Sequence, residues 1–176
     1  MSIHKATQRY LSQEQVEHFI KQFWIKIGAL RKDFPEAIHD EKDTQGSKNS
    51  LGFNARPFMG YSNELLPQIE DIVKKEYPNI KFVESYIRQY NGIGSSLAKH
   101  TDVDYHPNGP YDITLSICLK DETEWPLWFE MPEGNIGYTM DPGYGVLCEA
   151  QKIEHWRDPQ PIDKPTMFIF YHWMLT

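Results

Sequence analysis

The sequence has few cysteines and no long apolar run, and each shortage excludes a class of protein. Only two of its 176 residues are cysteine, Cys118 and Cys148, and both lie within apolar stretches. We therefore expect reduced core thiols and not a disulfide framework. No stretch approaches the roughly 18 apolar residues of a membrane span, and the first residues lack the apolar centre of a signal peptide. We expect a soluble, cytoplasmic protein with no membrane partner.

Basic residues are also scarce. The chain has 18 Lys and Arg against 25 Asp and Glu, a net charge of −7 at pH 7, and no basic run longer than a pair such as Lys74-Lys75. Proteins that bind nucleic acids usually present a basic face, so a nucleic-acid partner is not expected. The composition is otherwise that of a globular protein, with 40% hydrophobic residues. A chain of this length is predicted to fold as a single domain over residues 1–176.

Two helices are predicted in the first 80 residues. Ser12 followed by Gln15 has the pattern of a capping box, which starts a helix. Apolar residues then recur at helical spacing to about Arg31. A second helix is predicted to start between residues 62 and 67. The polar segment from Asp33 to Asn54 is expected to form a loop.

From residue 81 onward the pattern is that of short strands separated by Gly and Pro. Two helices followed by many strands indicate an α+β fold with a sandwich or barrel core. Residues 1–80 are thus predicted to form a helical support layer, and residues 81–176 the core. About eight strands are predicted, over residues 81–90, 96–102, 111–119, 126–131, 136–140, 145–150, 152–156 and 165–174.

The pattern that indicates chemistry is His100-Thr101-Asp102. Two residues that are two apart on a strand point to the same face, so one metal ion can take both His100 and Asp102. His155 follows a strand-like run and is a candidate third ligand. Two imidazoles and one carboxylate fit the facial triad of a non-haem Fe(II) oxygenase, which leaves coordination positions open for co-substrate and O₂.

Ordinary explanations exist for each of these residues. His100 and Asp102 could form a solvated pair in a turn, and His155 could be a buried histidine bonded to the backbone. His106 continues the alternation and is a rival ligand, but a turn rich in Pro and Gly follows it, so an exposed loop position is expected. His172 lies in an aromatic strand and is expected to be a core or pocket residue.

The sequence around this pattern resembles the 2-oxoglutarate/Fe(II) dioxygenases, and among them the prolyl-hydroxylase-like branch. The resemblance extends from about Lys81 to Trp173. It implies a double-stranded β-helix, or jelly-roll, core preceded by two N-terminal helices, and Fe(II) held by His100, Asp102 and His155. The motifs that carry it are Tyr86–Tyr90, Lys99–Asp102, Tyr111–Ile117, Trp125-Pro126, Asp141–Gly145, Glu154–Arg157 and Phe168–His172.

The resemblance also implies a cation for the distal carboxylate of 2-oxoglutarate. In the family this cation usually lies on the last strand, nine or ten residues after the second histidine. Lys164 lies nine residues after His155, and Thr166 could add a hydroxyl on the same face. Arg157 is the competitor, since a guanidinium binds a carboxylate through two hydrogen bonds. Lys164 is favoured, and Arg157 stays open.

Two further residues are implied in co-substrate binding, and the reaction follows from the whole set. Tyr90 matches a tyrosine that hydrogen-bonds the co-substrate, and Arg88 alternates with it. The implied reaction uses O₂ and 2-oxoglutarate to hydroxylate a peptidyl or amino-acid side chain, proline being one candidate, and releases succinate and CO₂. Ascorbate (vitamin C) is an accessory candidate. In halogenating relatives a small residue stands where this chain has Asp102. The presence of a carboxylate there implies hydroxylation and not halogenation.

Two alternatives stay open at this stage. One is oxidation of a small molecule or a nucleobase by an enzyme of the same superfamily. The other is a catalytically silent jelly-roll that binds a ligand or a partner.

Overall fold

The computed structural model describes residues 3–33, 38–39, 47–48, 50–53, 63–102 and 107–176. Within that part the chain forms two helices, α1 (Gln13–Asp33) and α2 (Leu66–Val73). The strands are β1 (Ile3–Arg9), β2 (Ile38–His39), β3 (Ser47–Lys48), β4 (Ser50–Phe53), β5 (Ile80–Tyr90), β6 (Ser96–His100), β7 (Ile113–Lys120), β8 (Leu127–Phe129), β9 (Ile136–Tyr138), β10 (Tyr144–Cys148), β11 (His155–Arg157) and β12 (Thr166–Leu175).

Helix α1 begins at the predicted capping box. The Gln15 N–H donates to Ser12 Oγ at 3.2 Å, and the Ser12 N–H donates to Gln15 Oε1 at 2.8 Å. Two backbone donors at the helix start are thereby satisfied. The buried stripe of this helix joins a cluster with α2 and one face of a large sheet, and its members are Val16, Phe19, Phe23 and Ile27.

The strands form two antiparallel sheets. The large sheet has the order β1-β10-β7-β12-β5-β4-β2, and the small sheet has the order β3-β6-β11-β8-β9. A second apolar cluster joins the two sheets, because it combines Phe168 and Val146 of the large sheet with Leu97 and Phe129 of the small one. The sheets therefore pack face to face, with the helices on the other side of the large sheet.

The N-terminal part differs from the prediction. Strands β2, β3 and β4 lie within the segment Asp33 to Asn54 that was expected to be a loop, and β1 pairs with β10. The prediction of a loop is therefore wrong for the described residues. The layer before residue 80 contains strands as well as helices. Strands of two to four residues at the side of a sheet are held by main-chain bonds and leave no apolar alternation in the sequence.

The later strands lie close to the predicted ranges, with two shifts near the candidate site. The strand predicted over 96–102 ends at His100, so Asp102 lies just beyond β6. The run 152–156 was predicted as a strand, but β11 begins only at His155. Residues 150–152 form a turn, in which the Lys152 N–H donates to the Glu149 carbonyl at 2.9 Å. His155 thus lies at the start of a strand.

Two predictions from composition can be compared with this fold. Both cysteines are free and buried, which confirms the prediction of reduced core thiols. Within the described part of the chain, neither helix combines the length and the apolarity that a bilayer crossing would need.

Candidate metal centre

The inner face of the large sheet carries polar residues because of the alternation in β7. Ile113 and Leu115 point to the helices, whereas Thr114 and Ser116 point to the small sheet. The antiparallel register places His172 of β12 directly opposite Thr114. A buried central strand thus contributes hydroxyl groups to the space between the sheets.

A cleft lies between the two sheets. Residues of both sheets line it: Tyr86, Arg88, Tyr90, Leu97, His100, Asp102, Thr114, Ser116, Leu127, His155, Arg157, Phe170 and His172.

The structure brings His100, Asp102 and His155 together in this cleft. His100 ends β6 and pairs directly with His155, which begins β11. The ring centroids are 4.5 Å apart. Asp102 Oδ1 lies 3.5 Å from His100 Nε2 and 3.4 Å from His155 Nε2. One ligand atom from each residue falls within 4.8 Å of the others.

The hydrogen bonds of the two histidines decide which nitrogen faces the centre. His100 Nδ1 lies 2.7 Å from the Ala98 carbonyl, and His155 Nδ1 lies 3.0 Å from the Ile153 carbonyl. A carbonyl only accepts, so each Nδ1 carries a proton and donates it. In the neutral ring each Nε2 then presents a lone pair toward Asp102 Oδ1. Three converging electron donors repel one another unless a cation lies between them, so this donor set fits a divalent metal such as Fe(II).

Asp102 is anchored from the backbone and from the large sheet. Its N–H donates to the Ala150 carbonyl at 3.0 Å, and its Oδ2 accepts from the Thr114 hydroxyl. Burial raises the pKa of the Asp102 carboxyl, but His100 and His155, when they carry a proton on Nε2 in place of a metal ion, donate to the carboxylate and hold that pKa well below its ordinary value. The carboxyl is therefore ionised, as a metal ligand must be.

Arg157 is a buried residue that lines the cleft. It is 2% exposed, and its Nη1 donates to the Trp125 carbonyl at 2.7 Å. Its Cζ lies 4.0 Å from the centre of the Phe168 ring. Among the described residues, Nη2 has no hydrogen-bond partner. Burial lowers the pKa of Arg157 and nearby Tyr90 opposes that effect, but a guanidinium stays charged in proteins.

Comparisons with known proteins show which fold this geometry belongs to. No family model matches the sequence, and a search of curated proteins finds no match. The structure of a non-haem monooxygenase, the ThoJ–nickel complex, aligns with a TM-score of 0.68 and 12% identity over 98% of this chain and 73% of that one. HygX from Streptomyces hygroscopicus, with nickel and 2-oxoglutarate bound, aligns with a TM-score of 0.65 and 10% identity over 99% of this chain and 82% of that one.

A third similar structure is a prolyl hydroxylase. It comes from Trichoplax adhaerens in complex with a peptide fragment of hypoxia inducible factor, with a TM-score of 0.64 and 12% identity over 98% of this chain and 82% of that one. The chain has the jelly-roll fold of the 2-oxoglutarate oxygenases. The predicted jelly-roll core is thereby confirmed as a fold.

The jelly-roll places the two candidate cations differently. Lys164 precedes β12, is exposed, and has its Nζ 3.0 Å from Glu122 Oε2. It does not line the cleft, whereas Arg157 does. Position in the strand explains the difference: Arg157 lies two residues after His155 in β11 and therefore shares its face.

The remaining predicted residues lie in or beside the cleft of the jelly-roll. Tyr90 is buried and pairs across the sheet with Thr166, whose buried Oγ1 has no hydrogen-bond partner among the described residues. Arg88 lines the cleft, and its Nη1 donates to Ser50 Oγ at 3.0 Å. The rival ligand His106 lies outside the described residues.

Sequence reasoning missed one part of the site. Thr114 contacts Asp102, and it was not singled out, although a threonine and a serine alternating with apolar residues in a central strand indicate a polar inner face. His172 was expected to be a core or pocket residue, and it does line the cleft as a buried side chain.

Proposed function

We propose that the protein is a 2-oxoglutarate- and Fe(II)-dependent dioxygenase that hydroxylates a peptidyl or amino-acid side chain. The observation that carries the proposal is the arrangement of the cleft. Two imidazole Nε2 atoms and Asp102 Oδ1 converge in it, and the buried guanidinium of Arg157 lines the same cleft.

His100, Asp102 and His155 would hold Fe(II). Bound Fe(II) would supply the redox chemistry that couples decarboxylation of 2-oxoglutarate to succinate and CO₂ with transfer of one oxygen atom to a C–H bond. The chain fixes the donors for this purpose: the backbone carbonyls of Ala98 and Ile153 orient the two imidazoles through Nδ1. Such bonds set the tautomer and the direction of a metal-binding histidine.

Arg157 would bind the distal carboxylate of 2-oxoglutarate. It lies two residues after His155 on the same face, a separation of roughly 7 Å along a strand, which suits a five-carbon dicarboxylate with its other end at the metal. Its Nη2 and the Thr166 hydroxyl are buried polar atoms to which the described residues offer no partner. A bound carboxylate would accept a hydrogen bond from Nη2. Tyr90 lies beside Thr166 and would contact the same carboxylate. Lys164 is the weaker candidate because it lies on the surface.

The exposure of the cleft residues distinguishes the side of the co-substrate from that of the substrate. Arg157 is 2% exposed, whereas the side chain of His100 is 17% exposed, so the substrate would approach from the side of His100. Tyr86 and Phe170 form partly exposed aromatic walls there. These rings would exclude water from the reacting carbon and favour an apolar or ring-bearing side chain, such as that of proline.

Two observations support the proposed substrate class. The similar structure from Trichoplax adhaerens is a prolyl hydroxylase in complex with a peptide, and the net charge of −7 disfavours nucleic acid. A small-molecule or nucleobase substrate is the alternative within the same chemistry, and ascorbate as an accessory reductant stays a prediction of the resemblance.

The test is a turnover assay with matched controls. The protein is incubated with Fe(II), 2-oxoglutarate and O₂, with proline-containing peptides, free amino acids and small molecules in turn, and succinate and the product mass are measured. We expect Fe(II)-dependent succinate and one product that gains a single oxygen atom, and neither with His155→Ala. Binding of Fe(II) and 2-oxoglutarate without any turnover across the panel would instead support the silent binding module.

A further inference from the structure

We propose that Thr114 and His172 are positioning residues that hold Asp102 so that Oδ1 alone faces the two imidazoles. The inference rests on the proposed metal site and adds two residues from the opposite sheet to it. Asp102 follows β6 of the small sheet, whereas Thr114 and His172 lie on β7 and β12 of the large sheet. The contact therefore fixes a candidate metal ligand from across the cleft.

The contacts form a chain from His172 to Asp102. The Thr114 hydroxyl donates to Asp102 Oδ2, and His172 Nδ1 lies 2.9 Å from the same hydroxyl oxygen. The two donors lie directly opposite each other in the register of β7 and β12. All three side chains are buried, with 6%, 4% and 1% of Asp102, Thr114 and His172 exposed.

The number of available protons fixes the direction of these hydrogen bonds. A hydroxyl has a single proton, and an ionised carboxylate can only accept. The Thr114 proton is therefore committed to Asp102 Oδ2, and its oxygen must accept from Nδ1–H of His172. His172 thus stops the hydroxyl from turning away, because a rotated hydroxyl would direct its proton at another donor.

The ring of His172 is itself held in place. It is stacked on Tyr111, with centroids 4.0 Å apart and planes at 16°, and on Tyr86, with centroids 5.5 Å apart and planes at 25°. Two stacked rings restrict rotation of the imidazole about its own axis. Nδ1 therefore stays directed at Thr114.

The consequence concerns how the carboxylate can bind a metal. Oδ2 is occupied by a hydroxyl from the large sheet, so Asp102 offers one oxygen, Oδ1, to the two Nε2 atoms. A carboxylate free to turn could present both oxygens and take up a further coordination position. Thr114 and His172 thereby keep positions open that an oxygenase needs for co-substrate and O₂.

The test measures Co(II) affinity by calorimetry, with Co(II) as an air-stable probe for the divalent site. Thr114→Val removes the hydroxyl and keeps the shape, and Thr114→Ser keeps the hydroxyl. Loss of such an outer hydrogen bond weakens metal binding by roughly 10–100-fold. We expect Thr114→Val to show that loss and Thr114→Ser to bind like the wild type. The visible spectrum of bound Co(II) should change in the valine variant alone.

His172 provides the second pair of variants. His172→Phe keeps a flat ring between the two tyrosines but has no donor, whereas His172→Asn places an amide N–H near the position of Nδ1. We expect weaker Co(II) binding in the phenylalanine variant and partial recovery in the asparagine variant. If Thr114→Val does not fold, as judged by thermal unfolding without metal, the His172 pair decides the question alone.

The outcomes separate this inference from the proposed function. A wild-type protein that binds no Co(II) would overturn both. A wild-type protein that binds Co(II), with folded Thr114→Val and His172→Phe variants that bind it equally well, would overturn the positioning role alone. Weaker binding in Thr114→Ser together with wild-type binding in Thr114→Val would also contradict it, because the methyl packing and not the hydroxyl would then matter.

Discussion

Replacing the two candidate cations separately gives a sharp test of how the cleft would bind 2-oxoglutarate. Arg157→Gln removes a buried charge and leaves a shorter, neutral polar side chain. Lys164→Gln removes a charge on the surface, where the amine contacts Glu122. Both variants introduce the same neutral residue, so the pair compares the loss of a positive charge at the two places.

The expected size follows from the surroundings of Arg157. A hydrogen bond to a charged group contributes about 1.5–3 kcal/mol, and this guanidinium is shielded from water by Phe168 and Trp125. Since 1.4 kcal/mol is a factor of ten in affinity, the Kd for 2-oxoglutarate should rise roughly 10- to 100-fold in Arg157→Gln. An exposed ion pair contributes little, so Lys164→Gln should leave that Kd unchanged.

The assay is calorimetric titration of 2-oxoglutarate into protein loaded with Co(II), with thermal unfolding as a check on folding. Arg157→Lys extends the series, because it keeps the charge and loses the planar fork that binds two carboxylate oxygens. An intermediate Kd is expected for it. The reasoning would be refuted by a large loss in Lys164→Gln together with wild-type affinity in Arg157→Gln.

Three further expectations concern the fold. Gly143 has a φ of +87°, and an added Cβ would clash with the Leu11 carbonyl oxygen, so Gly143→Ala should lower the free energy of unfolding by at least about 1–3 kcal/mol in urea titration. Gly28 lies in α1 with no neighbour within 4 Å of an added Cβ, so Gly28→Ala should raise that energy by about 0.5–1 kcal/mol. Burial raises the pKa of Cys118 to about 12 and that of Cys148 well above its ordinary value. Neither thiol should react with a disulfide reagent at pH 8 until the chain is unfolded.

The parts of this fold that sequence could predict depend on local patterns. The capping box at Ser12 and the helical spacing of α1 involve residues a few positions apart, and the structure has the helix where they predict it. The spacing of His100 and Asp102 predicted that the two side chains meet, and they do, although β6 ends at His100 and Asp102 lies just beyond it. The short strands β2 to β4 escaped prediction because their stability comes from pairing with distant strands and not from an apolar pattern.

The choice between Arg157 and Lys164 shows a second limit of sequence reasoning. Spacing from His155 measures distance along the chain, but it does not say whether the residue still lies within a strand. Lys164 falls just before β12, where its side chain turns to solvent, whereas Arg157 remains in β11 with His155. The contact of Thr114 with Asp102 required the packing of two sheets, which no local pattern encodes.

The most direct test of the proposed metal centre is an anaerobic Fe(II) titration of the wild-type protein beside His100→Ala, Asp102→Ala and His155→Ala. The expected result is one tightly bound Fe(II) per wild-type chain, and loss of that binding in each variant that remains folded. No binding by the wild type, or the same binding by all three variants, would contradict the assignment of these residues as the metal ligands.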